Sequence, residues 1–127
     1  MLAIRNGSPL HQIAHGATAM QTARFYYLAY TGQLVAPAYR DDFWELLSRS
    51  AFESKFVKGL KEVNPDAKIY RKSGTWRYFH ADSAVVLDED YRYIIAAIIE
   101  DPRGEEALVR LIEAIEKVMQ QRHGEGA

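Results

Sequence analysis

Three consecutive runs of strand-forming residues in the second half of the chain constrain its fold more than any other feature. The runs cover about Ala67 to Lys72, with an extension to Trp76, then about His80 to Leu87, and finally about Tyr91 to Ile99. β-Branched and aromatic residues, which favour strands, recur in each run. Short polar connections of the kind that separate these runs join antiparallel neighbours. The pattern therefore predicts a three-stranded antiparallel sheet.

A long amphipathic helix is predicted after the sheet. Residues 101–104 break the strand pattern, and the two glutamates that follow suit a helix N-terminus. From about Glu105 to Arg122, apolar side chains recur at spacings of three and four, and we expect them to pack on the sheet: Leu108, Leu111, Ile112, Ile115, Val118 and Met119. The third strand contains the apolar run Ile94–Ile99, which predicts that both of its faces are covered.

Two further helices are predicted ahead of the sheet. Thr18 and Gln21 have the spacing of a capping box, so the first helix should run from Ala19 to about Thr31, with Gly32 just past its end. Pro37 suits the first turn of a second helix that ends near Ser48. Their apolar stripes are predicted to consist of Met20, Ala23, Tyr27 and Leu28 in the first, and of Tyr39, Phe43, Leu46 and Leu47 in the second.

The segment between the second helix and the sheet predicts one more short helix. Its apolar residues are Phe52, Phe56, Val57 and Leu60, and it is expected to close at Gly59 and the Asn64-Pro65 pair. The whole chain then reads as an α+β protein with an irregular lead-in at 1–16, a helical part at 17–66, and the sheet with its terminal helix at 67–127. Together these parts form one domain, as a length of 127 residues indicates.

Composition excludes several classes of function. The net charge of −1 gives no basis for binding nucleic acid or an anionic membrane. Without cysteine the chain can form neither a disulfide framework nor a thiolate zinc site. No apolar run is long enough to span a membrane or to act as a signal peptide. His11 and His15 are four residues apart, but no third ligand lies nearby, so we interpret them as surface or loop residues and predict no metal or cofactor.

The most unusual chemistry lies in the tetrapeptide Lys72-Ser73-Gly74-Thr75, which follows the first predicted strand. A lysine places a positive charge beside an anionic substrate, and the two hydroxyls can donate hydrogen bonds to a carboxylate or an acyl oxygen. Gly74 has no Cβ, so a ligand can approach the backbone closely. Taken alone, the same four residues are also typical of a turn or bulge on an exposed edge strand.

This tetrapeptide resembles the K-T-G motif of class A β-lactamases and penicillin-binding proteins, with Ser73 keeping the hydroxyl of the threonine. The run from Trp76 to Val86 is similar to the continuation of that motif, and the segment from Gly16 to Val35 is similar to the helix and exit before it. The resemblance covers roughly residues 16–122. It implies a β-lactamase-like fold and a substrate-binding role for Lys72, Ser73, Gly74 and Thr75, with Arg77 as an added charge or a surface residue.

The departures from the family pattern are as informative. The sequence contains neither S-x-x-K nor S-D-N, and Ser54 is followed by a lysine at the wrong spacing. Asn6 is at most a remnant of the deacylating loop. The resemblance therefore implies the C-terminal half of a bacterial serine hydrolase, periplasmic or extracellular, that is inactive without an N-terminal half carrying the nucleophile. A β-lactam or a peptidoglycan-like peptide would be its ligand, and bare sheet edges predict self-association or a partner chain.

Three alternatives stay open from the sequence. The chain could be part of such a hydrolase, a binding module that has lost catalysis, or an interaction domain that pairs through a sheet edge. His80 and Asp82 alternate with Ala81 and so share a strand face, where they could contact each other. We favour packing and hydrogen bonding between strands for this pair over a hydrolytic role, because no serine nucleophile is identified beside it.

Overall fold

The structure is a computed structural model, and it describes residues 17–49 and 53–125. In chain order it has helix α1 (Ala19–Tyr30), a 3₁₀ turn (Pro37–Tyr39), helices α2 (Arg40–Ser48) and α3 (Lys55–Val63), strands β1 (Lys68–Trp76), β2 (Phe79–Leu87) and β3 (Arg92–Glu100), and helix α4 (Gly104–Glu125). The lead-in 1–16, with Asn6, His11 and His15, lies outside the described residues.

The predicted sheet is confirmed. β1 pairs antiparallel with β2, and β2 pairs antiparallel with β3, in the order β1-β2-β3. The register places Ser73 opposite Asp82 and Gly74 opposite Ala81. With the four helices of the described part of the chain this is an α+β architecture, as the sequence predicted.

One face of the sheet forms the hydrophobic core with α3 and α4. Successive strand residues point to opposite faces, and those on this face meet apolar side chains of both helices. The buried members of the cluster are Phe56, Leu60, Ala84, Val86, Ile95, Leu108 and Ile112. At Gly59 the two helices are so close that a Cβ would lie 2.5 Å from the carbonyl oxygen of Val109. Gly59 therefore serves helix packing, and the prediction that it ends α3 is wrong.

The opposite face carries α1 and α2. Tyr26 of α1 is buried and reaches Ser83 of β2, while the rings of Trp44 in α2 and Tyr70 in β1 are 5.3 Å apart in an edge-to-face contact. The predicted capping box is present, with Thr18 accepting from the Gln21 backbone at 3.0 Å and Gln21 accepting in return at 2.9 Å. Both helices therefore pack on this face of the sheet.

The predicted stripes of α1 and α2 are wrong in part. In α1 the buried residues are Tyr26 and Ala29, whereas Met20 and Tyr27 are 77% and 56% exposed. The helix has apolar side chains on more than one side, so spacing alone did not identify the side that meets the sheet. The second predicted helix is a 3₁₀ turn followed by α2, and two members of its predicted stripe are largely exposed, Tyr39 in the turn and Leu46 in α2, where no residue is fully buried.

Two predictions for the second half also need correction. Leu108 and Ile112 are buried against the sheet, but Leu111 and Val118 of the same predicted stripe are 36% and 49% exposed. On β3, Ile95 is buried while Ile98 is 49% exposed, so the apolar run is not covered on both faces along its whole length. In both elements, the sequence contains more apolar side chains than the described residues cover.

A buried carboxylate joins the ends of α3, β3 and α4. Glu116 is fully buried and accepts hydrogen bonds from the Tyr91 hydroxyl, from the Tyr93 hydroxyl at 2.5 Å and from the Asn64 amide at 2.6 Å. Asn64 also donates to Asp88 at 2.8 Å, in the turn before β3. Burial, followed by the hydrogen bond to Glu116, raises the pKa of both tyrosines above the ordinary value of 10.0.

These raised pKa values predict a loss of stability in alkaline solution. Above pH 10.0 the unfolded chain releases tyrosine protons that the folded chain retains, so this contribution is full below that pH and decreases as the pH rises above it. The double variant Tyr91→Phe/Tyr93→Phe should flatten the decline, since it removes both ionisable groups. Urea denaturation midpoints from neutral into alkaline pH measure the slope. Tyr78→Phe, at an exposed position, controls for losing a phenol, and an unchanged slope in the double variant would contradict the assignment.

Candidate functional site

The residues Lys72, Ser73, Gly74 and Thr75 lie in the second half of β1, opposite β2. Because side chains alternate, Lys72 lies on the face that carries α1, while Ser73 and Thr75 lie on the face that carries α3 and α4. Lys72 and Thr75 are exposed, and a Cβ at Gly74 would meet nothing within 4 Å. No packing contact therefore requires glycine at this position, and the backbone is open to a ligand.

A hydrogen-bonded chain on the α1 face holds the backbone of Lys72. The Ser83 hydroxyl donates to the carbonyl oxygen of Lys72 at 2.9 Å, and the Tyr26 hydroxyl lies 3.0 Å from the Ser83 hydroxyl. Burial raises the pKa of Tyr26, so this phenol stays a donor. The Lys72 ammonium itself donates to the Ser73 carbonyl at 3.0 Å and is otherwise in solvent. Tyr26 was not identified from the sequence, because its position on α1 was not assigned to the sheet-facing side.

A buried ion pair supports the strand from the other face. Arg71 donates to Asp82 through Nε at 3.1 Å and through Nη2 at 2.9 Å, and both side chains are almost inaccessible to solvent. Asp82 also accepts from the backbone amides of Phe56 at 3.1 Å and Ser83 at 2.9 Å. Burial raises the pKa of Asp82, and the contact with Arg71 opposes that rise. The carboxylate thereby ties the start of α3 to the middle of the hairpin.

Lys55 is the second cation near the tetrapeptide. Its side chain is buried, and the ammonium donates to the Gly74 carbonyl at 2.8 Å, the Thr75 hydroxyl at 2.8 Å and the Ala81 carbonyl at 3.1 Å. Burial lowers its pKa, and the negative charge of Asp82 opposes the shift. Its backbone has a φ of +48°, a conformation that costs roughly 1–3 kcal/mol for a residue with a side chain.

Lys55 was not identified from the sequence. It precedes the apolar residues of a short helix, where a lysine normally extends into solvent. The only local signal was Ser54, a residue type that often stands before a helix, and this indicates a helix start and no site. The contact with residues 19 to 26 positions further along the chain exists only in the folded protein.

Arg77 lies apart from the other predicted binding residues. It occupies the turn between β1 and β2 with a φ of +54°, and its guanidinium stacks over the Trp76 ring at 4.5 Å. Its side chain is exposed and lies at the tip of the hairpin. The role of Arg77 in binding therefore stays a prediction, as do the roles of the four residues on β1.

His80 and Asp82 share a face of β2 as expected, but they do not form a catalytic pair. Among the described residues, the Asp82 carboxylate accepts hydrogen bonds from Arg71, Phe56 and Ser83, and Nδ1 of His80 is buried with no hydrogen-bond partner. His80 instead packs against Gly104, where a Cβ would lie 2.5 Å from its Cδ2. Packing at the start of α4 is the observed role of this histidine.

Within the described ranges, no group of three or more His, Cys, Asp or Glu side chains is arranged to hold a metal ion. Among the same residues, no helix is both long and apolar enough to cross a membrane. On β1, the Lys72 ammonium can bind an anion, and the Ser73 and Thr75 hydroxyls can donate hydrogen bonds. These groups can bind a ligand, but they do not include a nucleophile with its base.

Comparison with known proteins agrees with the fold. The sequence matches the model of the beta-lactamase enzyme family over residues 1–122. The chain belongs to the beta-lactamase enzyme family. No match was found among curated proteins.

Two solved structures of the same fold are those of PBP-A and of a PBP-A mutant in an acyl-enzyme complex with penicillin G. Each matches with a TM-score of 0.69 and 19% sequence identity, covering 80% of this chain. The chain spans 39% of the length of these PBP-A chains. The likeness establishes a β-lactamase-like fold for this member of the family, as the tetrapeptide and its flanking segments predicted.

Proposed function

We propose that this chain supplies the substrate-binding strand of a β-lactamase-like serine hydrolase, and that the nucleophile comes from a segment outside these 127 residues. The observation that carries the proposal is the geometry of β1, where Lys72 and Thr75 are exposed on either side of a glycine whose backbone is open. An extended ligand that carries an anionic group next to an acyl group fits such a strand, because charge and hydroxyl donors meet it from one edge.

The absence of S-x-x-K and S-D-N from the sequence supports the second part of the proposal. Covalent catalysis needs a nucleophile, a base in hydrogen-bond reach and donors for the oxyanion. This chain offers the binding strand and the charge of Lys72. The serine would attack the acyl carbon, the amide bond would break, and the leaving nitrogen would take a proton, and these steps need groups that the other segment would bring.

We further propose that the other segment covers the apolar surfaces that stay exposed here. Leu111 and Val118 form an exposed stripe on one side of α4, and Ile98 is exposed on β3 on the other face of the sheet. These are two separate apolar surfaces, and apolar surface of this kind is what a partner segment buries. The solved PBP-A chains are about twice as long as this one, since 80% of this chain covers 39% of them. The fold of those chains therefore includes further segments that have no counterpart in the described residues.

Lys72→Ala tests the binding role of the strand. Affinity for penicillin G, measured by NMR titration of the chain, should fall about ten- to a hundredfold, since a hydrogen bond to a charged group contributes about 1.5–3 kcal/mol. Lys68→Ala is the matched control, because Lys68 is exposed on the same face of β1 and lies four residues from Lys72. Equal affinities for wild type and Lys72→Ala would contradict the proposal.

Intact mass measurement after incubation with penicillin G tests the missing nucleophile. The chain alone should gain no acyl adduct, whereas a mixture with a family N-terminal segment that carries S-x-x-K should gain one. An adduct on the chain alone would refute this part. Binding that persists without acylation in the mixture would instead support a binding module that has lost catalysis.

A further inference from the structure

The Lys55 ammonium has an unusual set of partners for a buried cation. Its three hydrogens are used by three neutral oxygens, the carbonyls of Gly74 and Ala81 and the hydroxyl of Thr75. Buried charges in proteins are normally paired with an opposite charge, but no described carboxylate lies within ion-pair distance of Lys55. Its positive charge is therefore placed at the binding strand without a counter-ion in contact.

The contact with Thr75 determines what that hydroxyl can do. A hydroxyl has one donor hydrogen and two acceptor lone pairs, and an ammonium can only donate. Thr75 therefore accepts from Lys55, and its own hydrogen stays available. Among the described residues Thr75 has no recorded acceptor, and its side chain is exposed beside the open backbone of Gly74.

The backbone at Lys55 indicates that this position is imposed by the fold. A φ of +48° is rarely adopted by a residue with a side chain, and such conformations persist where the surroundings over-determine them. The next residue is held from the sheet, since the Phe56 amide donates to Asp82 at 3.1 Å. Strained residues of this kind are concentrated at ligand-binding and catalytic sites.

We propose that Lys55 is a positioning residue of the binding strand, which holds the Thr75 hydroxyl as a donor toward the anionic group of the ligand. The charge of Lys55 makes that hydroxyl a stronger donor and adds to the field of Lys72. The inference rests on the proposed function, which places the ligand along β1. It adds a residue from α3 to a site that is otherwise built from β1.

A double-mutant cycle on the full chain tests the coupling. Affinity for penicillin G would be measured by NMR titration for wild type, Lys55→Met, Thr75→Val and the double variant. Each single substitution should lower affinity about tenfold, and the double variant should lose no more than about twofold beyond that, because the two residues act as one unit. Lys55→Arg should keep the affinity within about threefold of wild type, since a guanidinium can also donate to Thr75. Lys58→Met, at an exposed position on the same helix, should leave it unchanged.

The outcomes separate this inference from the proposed function. The role of Lys55 is overturned if the two single losses multiply in the double variant. It is also overturned if Lys55→Met keeps full affinity while Lys72→Ala still weakens binding. Both results leave the strand assignment intact. If neither Lys55→Met nor Lys72→Ala changes the affinity, both proposals fail. If Lys55→Met does not fold, the NMR resonance of the Lys55 side-chain ammonium, followed in the wild-type chain and in Thr75→Val, tests the coupling instead. A shift on adding penicillin G that is absent in Thr75→Val supports the coupling, and no shift overturns it.

Discussion

Asp82→Ala is expected to lower the free energy of unfolding by about 3–5 kcal/mol, because it breaks a buried ion pair by removing its acidic member. The Arg71 and Asp82 side chains are 2% and 0% exposed, so water cannot replace the lost contact. The substitution also removes the acceptor for two backbone amides, those of Phe56 and Ser83. Urea denaturation of both chains at neutral pH gives the difference directly.

The ion pair between Glu106 and Arg110 provides the control. It has the same chemistry, but its side chains are 58% and 75% exposed, and such pairs within one helix contribute about 0.3–0.5 kcal/mol. Glu106→Ala should therefore change the stability by that amount or less. The double variant Arg71→Met/Asp82→Leu should lose less than Asp82→Ala, since it removes both charges of the pair and fills their space with apolar side chains. A loss below 1 kcal/mol for Asp82→Ala would show that the pair is not buried as described.

Ile112→Ala is the second substitution with a large expected effect, about 2–5 kcal/mol of lost stability, since Ile112 is fully buried between α3 and the sheet. The cost combines the lost burial of the side chain with the cavity left in the core. The measurement is again the denaturation midpoint, with the slope of the transition checked to exclude a change in the unfolded state.

Leu111→Ala is its matched control, one residue away on the same helix. Leu111 is 36% exposed, so Leu111→Ala should lower the free energy of unfolding by much less than Ile112→Ala does. A larger loss from Leu111→Ala than from Ile112→Ala would mean that α4 turns Leu111, and not Ile112, toward the core. If a nucleophile-bearing segment covers the exposed stripe, the cost of Leu111→Ala should increase when that segment is bound.

Local chemistry predicted most of the elements of secondary structure. The capping box at Thr18 and Gln21 identified the start of α1, because both hydrogen bonds lie within four residues. Runs of strand-forming residues and short polar turns identified β1, β2 and β3, and apolar residues with helical spacing identified α4. Each of these signals is satisfied by neighbours in sequence, so no knowledge of the fold was needed.

The sides of the helices were predicted less well. The aromatic residues of α1 surround the helix, and only contact with Ser83 of β2 shows that Tyr26 is the inward residue. On α4 the apolar residues exceed those that the sheet can cover, so Leu111 and Ile112 could not be ranked from spacing. Hydrophobic periodicity finds the helix, but the packing partner selects the face.

The candidate site divides in the same way. By itself, the sequence determined that Lys72, Ser73, Gly74 and Thr75 lie at the end of the first strand or in its extension and that they resemble a family motif, because a strand and its motif are contiguous. The structure places all four within β1. Only the tertiary structure decided that Lys55 and the Arg71–Asp82 pair support that strand from the α3 side and that Tyr26 supports it from the other. These contacts join residues that are 11 to 57 positions apart, and the burial that gives them their strength exists only once the core has formed.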